Sequence, residues 1–164
     1  MNVKKMTLLS ISVALAMVFS FIESQIPPLV SIPGVKIGLS NIVTVFLLYK
    51  LGAKEAAAVS LIRVLLSALL FGSSVSLIYS LSGAAVSFLS MIGVRKTQKF
   101  STVGVSVVGG VMHNVAQIIA ACFVMDTAAI SLYLPPLIIS GILAGIAVGI
   151  AAGVLCNRLK NIRL

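Results

Sequence analysis

At 164 residues, 60% of them hydrophobic and only 9% charged, with a mean hydropathy of +1.21, the chain carries more apolar surface than a soluble core of its size can absorb. It reads as a membrane protein. The net charge of +9 would suit nucleic acid, but the cations lie almost entirely in short segments between apolar runs, which is the pattern of topology signals and not of a phosphate-binding face.

Six apolar runs are predicted as spans of a single transmembrane domain over residues 1–164, at about 6–25, 37–49, 55–71, 74–94, 102–125 and 134–157. The first follows Lys4 and Lys5 and imitates a signal peptide, with Ala14 and Ala16 in the cleavage position. Apolar sequence continues through Phe21, so it is read as a retained helix. The second is short for a bilayer crossing, which places part of the preceding stretch, "VSIPGVKIGLSNIV", at membrane depth. Irregular backbone is tolerated there only where protein or a water-filled cavity satisfies it. Pro33 and Gly34 suit a turn, Gly38 a close backbone approach, and Lys36 and Asn41 can face a ligand, so the segment reads as a lid over a pocket.

Orientation follows from the cations. With six spans, Lys4, Lys5, Lys50, Lys54, Arg95, Lys96, Lys99, Arg158, Lys160 and Arg163 share one side and Lys36 stands on the other, which makes both termini cytoplasmic. The remaining cation, Arg63, falls inside the third span. Intramembrane ionisable groups are functional hypotheses by default, and Arg63 is joined in the external half of the bundle by Asn41, Tyr79, His113, Asn114, Gln117 and Lys36. His113 and Gln117 lie one helical turn apart and share a face. Two readings stand: a polar pocket open to the outside, suited to an anionic or strongly polar ligand group, or a set of satisfied core residues in which Arg63 bonds carbonyls or Asn41. Glu23 is the nearest acid to Arg63.

Small residues form two stripes. Gly141, Gly145, Gly149 and Gly153 recur every four residues along one face of the sixth span, and Ser12, Ala16 and Ser20 do so in the first. Small residues let helix backbones approach closely in lipid, either within the bundle or against a partner protein.

Several chemistries lack their residues. The sequence has no Gly-Lys-Ser/Thr phosphate loop, its three acids are too widely spaced for paired acid–base work or for magnesium on a diphosphate, and His113 has no evident nucleophile relay. Cys122 and Cys156 sit in separate apolar runs without partners at ligand spacing. No catalytic residue, metal or cofactor is expected.

The segments "PGVKIGLSNIVTVFLLYKLGAKEAAAVSLIRVLLSALLFG" (33–72) and "GVSVVGGVMHNVAQIIAA" (104–121) resemble the bacterial Gx transporter family, also called heptaprenyl diphosphate synthase component I. That family is similar to the substrate-binding S components of energy-coupling factor (ECF) transporters. The resemblance implies a six-helix bundle in the bacterial cell membrane and an external site closed by the loop between the first two helices. It also implies energy supplied by a transmembrane coupling protein and two ATPases. S components often carry Ala-x-x-x-Ala in the first helix for docking, and Ser12, Ala16 and Ser20 stand at that spacing here. The synthase name fits poorly with the acids present, and suggests an association with prenyl-quinone metabolism or flavin-linked electron transfer. The expected function is capture of a small vitamin-like, flavin- or quinone-related solute; the alternative is a non-transporting membrane scaffold, and a weaker third an intrinsic membrane enzyme.

Overall fold

A computed structural model describes residues 3–26 and 38–160, all of its regular structure helical: α1 (Val3–Gln25), α2 (Asn41–Lys50), α3 (Ala53–Phe71), α4 (Ser74–Lys96), α5 (Thr102–Val124), a 3-10 turn (Ala128–Tyr133) and α6 (Leu134–Arg158). By length and composition, α1, α4, α5 and the stretch Ala128–Arg158 are apolar enough to cross a membrane. α3 has 19 residues but carries Lys54, Glu55 and Arg63. α2 has ten residues and rises only about 15 Å, half a hydrocarbon core. The chain is an all-α, multi-pass integral membrane protein.

Local chemistry sets the breaks. Gly38 has φ +87° and Gly52 φ +121°, a region that favours glycine, and they stand before α2 and between α2 and α3. The first of these is why α2 starts at Asn41 and not at Ile37, where the apolar run begins. Ser73 and Ser101 cap α4 and α5, each accepting a hydrogen bond from a backbone N–H three residues on. Pro135 and Pro136 lie in the first turn of α6, where the missing N–H leaves no intrahelical bond unmade, and not in the connection before it.

α2 is the centre of the bundle. It packs on α3 and α6 and touches α1, and every residue from Val43 to Leu48 is buried, with Leu47 and Leu48 fully so. That explains why its sequence is apolar on all sides. α5 lies between α4 and α6, while α1 rests on α3.

Both small-residue stripes are occupied from within. A Cβ on Gly145 would lie 2.6 Å from the Val107 Cα, and one on Gly149 would lie 2.6 Å from the Val103 Cα, so α6 and α5 meet backbone to backbone. A Cβ on Gly141 would lie 2.9 Å from the Gly110 carbonyl oxygen, whereas one on Gly153 would meet nothing nearer than the Thr102 Cβ at 4.0 Å. Ser12, Ala16 and Ser20 are each buried. Of the two uses open to that stripe, this burial is the one expected of packing within the bundle, and the exposed side of α1 is Ile11, Leu15, Val18 and Ile22.

The end of the bundle that holds the cations is tied across helices. Lys5 pairs with Glu55 at 2.6 Å, Lys50 Nζ donates to the Leu159 carbonyl at 2.7 Å, and the Arg95 guanidinium lies 4.9 Å from the centroid of the Tyr49 ring.

Candidate functional site: a polar cleft in the other half of the bundle

At the opposite end the helices do not close. A cleft of about 680 Å³, its open mouth included, is lined by residues from every helix. α1 contributes Glu23, α2 Asn41, α3 Arg63 and Ser67, α4 Ser76 and Ser80, α5 His113, Asn114 and Gln117, and α6 Ser140. The chain directions put these in one half of the bundle, since they run from the middle to the last turns of α1, α3 and α5 and lie in the early turns of α2, α4 and α6. Gly38, Asn41, Gly110 and Ala144 also line a smaller cavity of about 270 Å³ that continues inward to Met91 and Val148.

Arg63 is 7% exposed, and its Nη2 lies 3.4 Å from the Asn41 Oδ1, a long hydrogen bond to a neutral acceptor. Its Nε has no hydrogen-bond partner among the described residues. A buried guanidinium in an apolar medium normally carries a full set of acceptors, so the donor set of Arg63 is incomplete.

Glu23 does not complete it. Its carboxylate accepts hydrogen bonds from the backbone N–H groups of Gly38 and Leu39, the latter at 2.8 Å, and from Ser40 Oγ at 3.3 Å. The acid that the topology places nearest to Arg63 thus binds the backbone amides just before α2. It fixes where α2 begins, and through Asn41 it positions the acceptor beside Arg63.

On α5, Asn114 Nδ2 donates to the Leu137 carbonyl at 2.7 Å, which ties the wall of the cleft to α6. His113 and Gln117 lie over Gly83 of α4: a Cβ at that glycine would come within 2.9 Å of both side chains. Gly83 is what allows two polar residues one turn apart to sit between α4 and α5.

Of the residues expected at the site, Asn41, Arg63, His113, Asn114 and Gln117 line one cleft. Tyr79 is buried at 2% exposure but does not line it; Ser76 and Ser80, on either side of it in α4, do. Lys36 lies outside the described residues, as does the 30–37 part of the expected lid segment 30–43. Gly141 lines both the α5–α6 seam and the cleft. The serines were missed by the sequence reading. Arg63 with Ser67, and Ser76 with Ser80, stand four residues apart, so a search for polar residues at helical spacing would have found them.

The cleft is thus a concave polar site with one buried guanidinium, a set of hydroxyls and amides, and an acid already committed to backbone donors. Such a site binds acceptor-rich groups. The fold around it is the one seen in a solved structure described as "Structure and mechanism of the S component of a bacterial ECF transporter", to which the chain is similar at 23% identity, with 96% of each chain covered and a TM-score of 0.66. The family model for heptaprenyl diphosphate synthase component I matches residues 12–155, and the chain belongs to that family. No curated protein matches it.

Proposed function

We propose that this chain is the solute-capturing membrane subunit of an ECF-type uptake system in a bacterial cell membrane. In this reading the cleft opens to the outside and takes a small vitamin-like, flavin- or quinone-related solute through an anionic or acceptor-rich group. The observation that carries it is the incompletely partnered, buried Arg63 in a polar cleft at the end opposite the cations. A charge held at that depth with no ion-pair contact among the described residues is retained at a cost in stability, which is expected where a ligand completes it. The cation bias sets that end outside. A transmembrane coupling protein and ATPase subunits would supply energy, in keeping with the solved relative's description as one component of a transporter.

Capture rather than catalysis is supported by the acids. Glu23 is held by the Gly38 and Leu39 amides and Glu55 by Lys5, which leaves neither placed to hold magnesium on a diphosphate. The test is a thermal-shift screen of purified protein against vitamins, flavins and quinone precursors. A ligand whose effect disappears in Arg63→Ala and Asn41→Ala supports capture; the absence of any such ligand sinks it. The family description favours a second reading, a non-transporting scaffold for prenyl-quinone synthesis or flavin-linked electron transfer. Co-purification with a soluble prenyltransferase or flavoprotein, and with no ATPase, would favour that one.

A further inference from the structure

A second hollow meets the polar cleft at one residue. Val64 lines the cleft, and it also lines a groove between α3 and α4 with Ala57, Ser60, Leu61, Ala84, Ala85 and Phe88. The groove measures about 480 Å³ counted to its open side and is almost wholly apolar.

Two features separate it from an ordinary lipid-facing surface. Small residues facing one another across two membrane helices normally bring those helices into contact, yet here alanines on both α3 and α4 leave a trough. The trough also has a definite continuation. α3 and α4 are joined at the outer end by Gly72 and Ser73 alone, and along their seam the lining changes from Ser67, Ser76 and Ser80 to Val64 and then to Ala57 and Phe88. From Val64 to Ala57 the groove follows α3 for about 10 Å. Polar groups lie from mid-depth toward the outer end and the apolar groove runs from mid-depth toward the cation end, so a bound molecule would lie head outward and tail inward.

We infer that the site takes an amphiphile: a compound with an anionic, acceptor-rich head in the cleft at Arg63 and an apolar tail lying in the α3–α4 groove, admitted sideways from the bilayer past Val64. The inference rests on the capture reading and narrows its substrate class. The gain for the tail comes from packing against the groove and not from leaving water, because the tail already resides in lipid. Groove shape is therefore what discriminates.

The experiment uses the full chain in lipid nanodiscs and two head-matched series as probes, methyl, octyl and dodecyl phosphate and acetate, octanoate and laurate, with affinities expressed per mole fraction in lipid so that simple partition cancels. Expected is binding of short and long members of at least one series, both lost in Arg63→Gln. Ala84→Leu and, separately, Ala57→Leu, which fill the groove, should weaken the dodecyl or laurate member by about tenfold and leave the methyl or acetate member unchanged. Two groove variants guard against one that fails to fold. If short members bind through Arg63 but the groove variants treat all chain lengths alike, the amphiphile inference is overturned and polar capture stands. If no member of either series binds, both are overturned. Native mass spectrometry from phosphatidylglycerol and phosphatidylcholine nanodiscs separates the sources: a retained phospholipid, absent from Ala84→Leu, makes a bilayer lipid the occupant, and its absence leaves a diffusible amphiphile.

Discussion

The two halves of this bundle are made from the same helices and obey opposite rules. In the half that holds the cations, α5 and α6 meet through Gly145 and Gly149 with backbone atoms in contact, the core of α2 is fully buried, and charged side chains are paired or stacked at the rim. In the other half the same helices part around Arg63, whose donors are only partly used. The first half is built for stability, and the buried polar groups of its interior are small hydroxyls such as Ser60, Ser87 and Ser106. The second gives up packing for polar surface, and a membrane protein keeps such surface where a ligand or a water-filled cavity meets it. Substitutions in the two halves should accordingly fail in different ways.

The largest expected effect is in the packed half. Gly145→Leu drives a side chain into the Val107 backbone, which cannot yield as a flexible side chain would, and should cost about 3 kcal/mol, read as a loss of folded protein in denaturant titration. Arg63→Ala should do the reverse: ligand affinity falls about 50-fold, the value of charge-assisted bonds, while stability changes by less than about 1 kcal/mol because an incompletely paired buried charge is removed. Unfolding of Arg63→Ala as severe as that of Gly145→Leu would erase the contrast between the halves.

Glu23→Ala lies at the boundary between them. It strips the acceptor from the amides of Gly38 and Leu39 and should lower stability by about 1.5 kcal/mol, with a secondary weakening of ligand binding as Asn41 loses its fixed position. Gly153→Ala sharpens the account of the stripe. With its nearest neighbour 4.0 Å away, it should be neutral or stabilise by up to about 1 kcal/mol through helix propensity, unlike the other three glycines. Smallest of all is Lys5→Ala, since its pair with Glu55 is at the solvated rim; no shift outside the scatter of repeated thermal scans is expected.

Much of this division is written in the sequence, because a bilayer makes hydropathy and cation placement unusually direct signals. Six apolar runs and the clustering of polar residues in one half of the bundle follow from them, as does the gathering of Asn41, Arg63, His113, Asn114 and Gln117. Less legible were features that depend on which way a helix is turned. Ser12, Ala16 and Ser20 form a stripe whatever they face, and only the position of α1 on α3 shows that they face inward. Tyr79 has the right depth but the wrong azimuth, and its neighbours Ser76 and Ser80 take the cleft. Position along the bundle sets Glu23 against Arg63, whereas its carboxylate is taken by two amides just before α2, Gly38 and Leu39, and by the Ser40 hydroxyl. Opposite charge pairs less readily than a carboxylate with preoriented N–H groups when the latter are already in reach.

The most direct test of the polar cleft is the identity of what it carries. Protein purified in mild detergent from its native membrane should release one small compound in near-stoichiometric amount, detected by mass spectrometry, and Arg63→Ala and Ser140→Phe of unaltered thermal stability should release none. Equal recovery of the compound from wild type and both variants would place the ligand elsewhere and contradict the account.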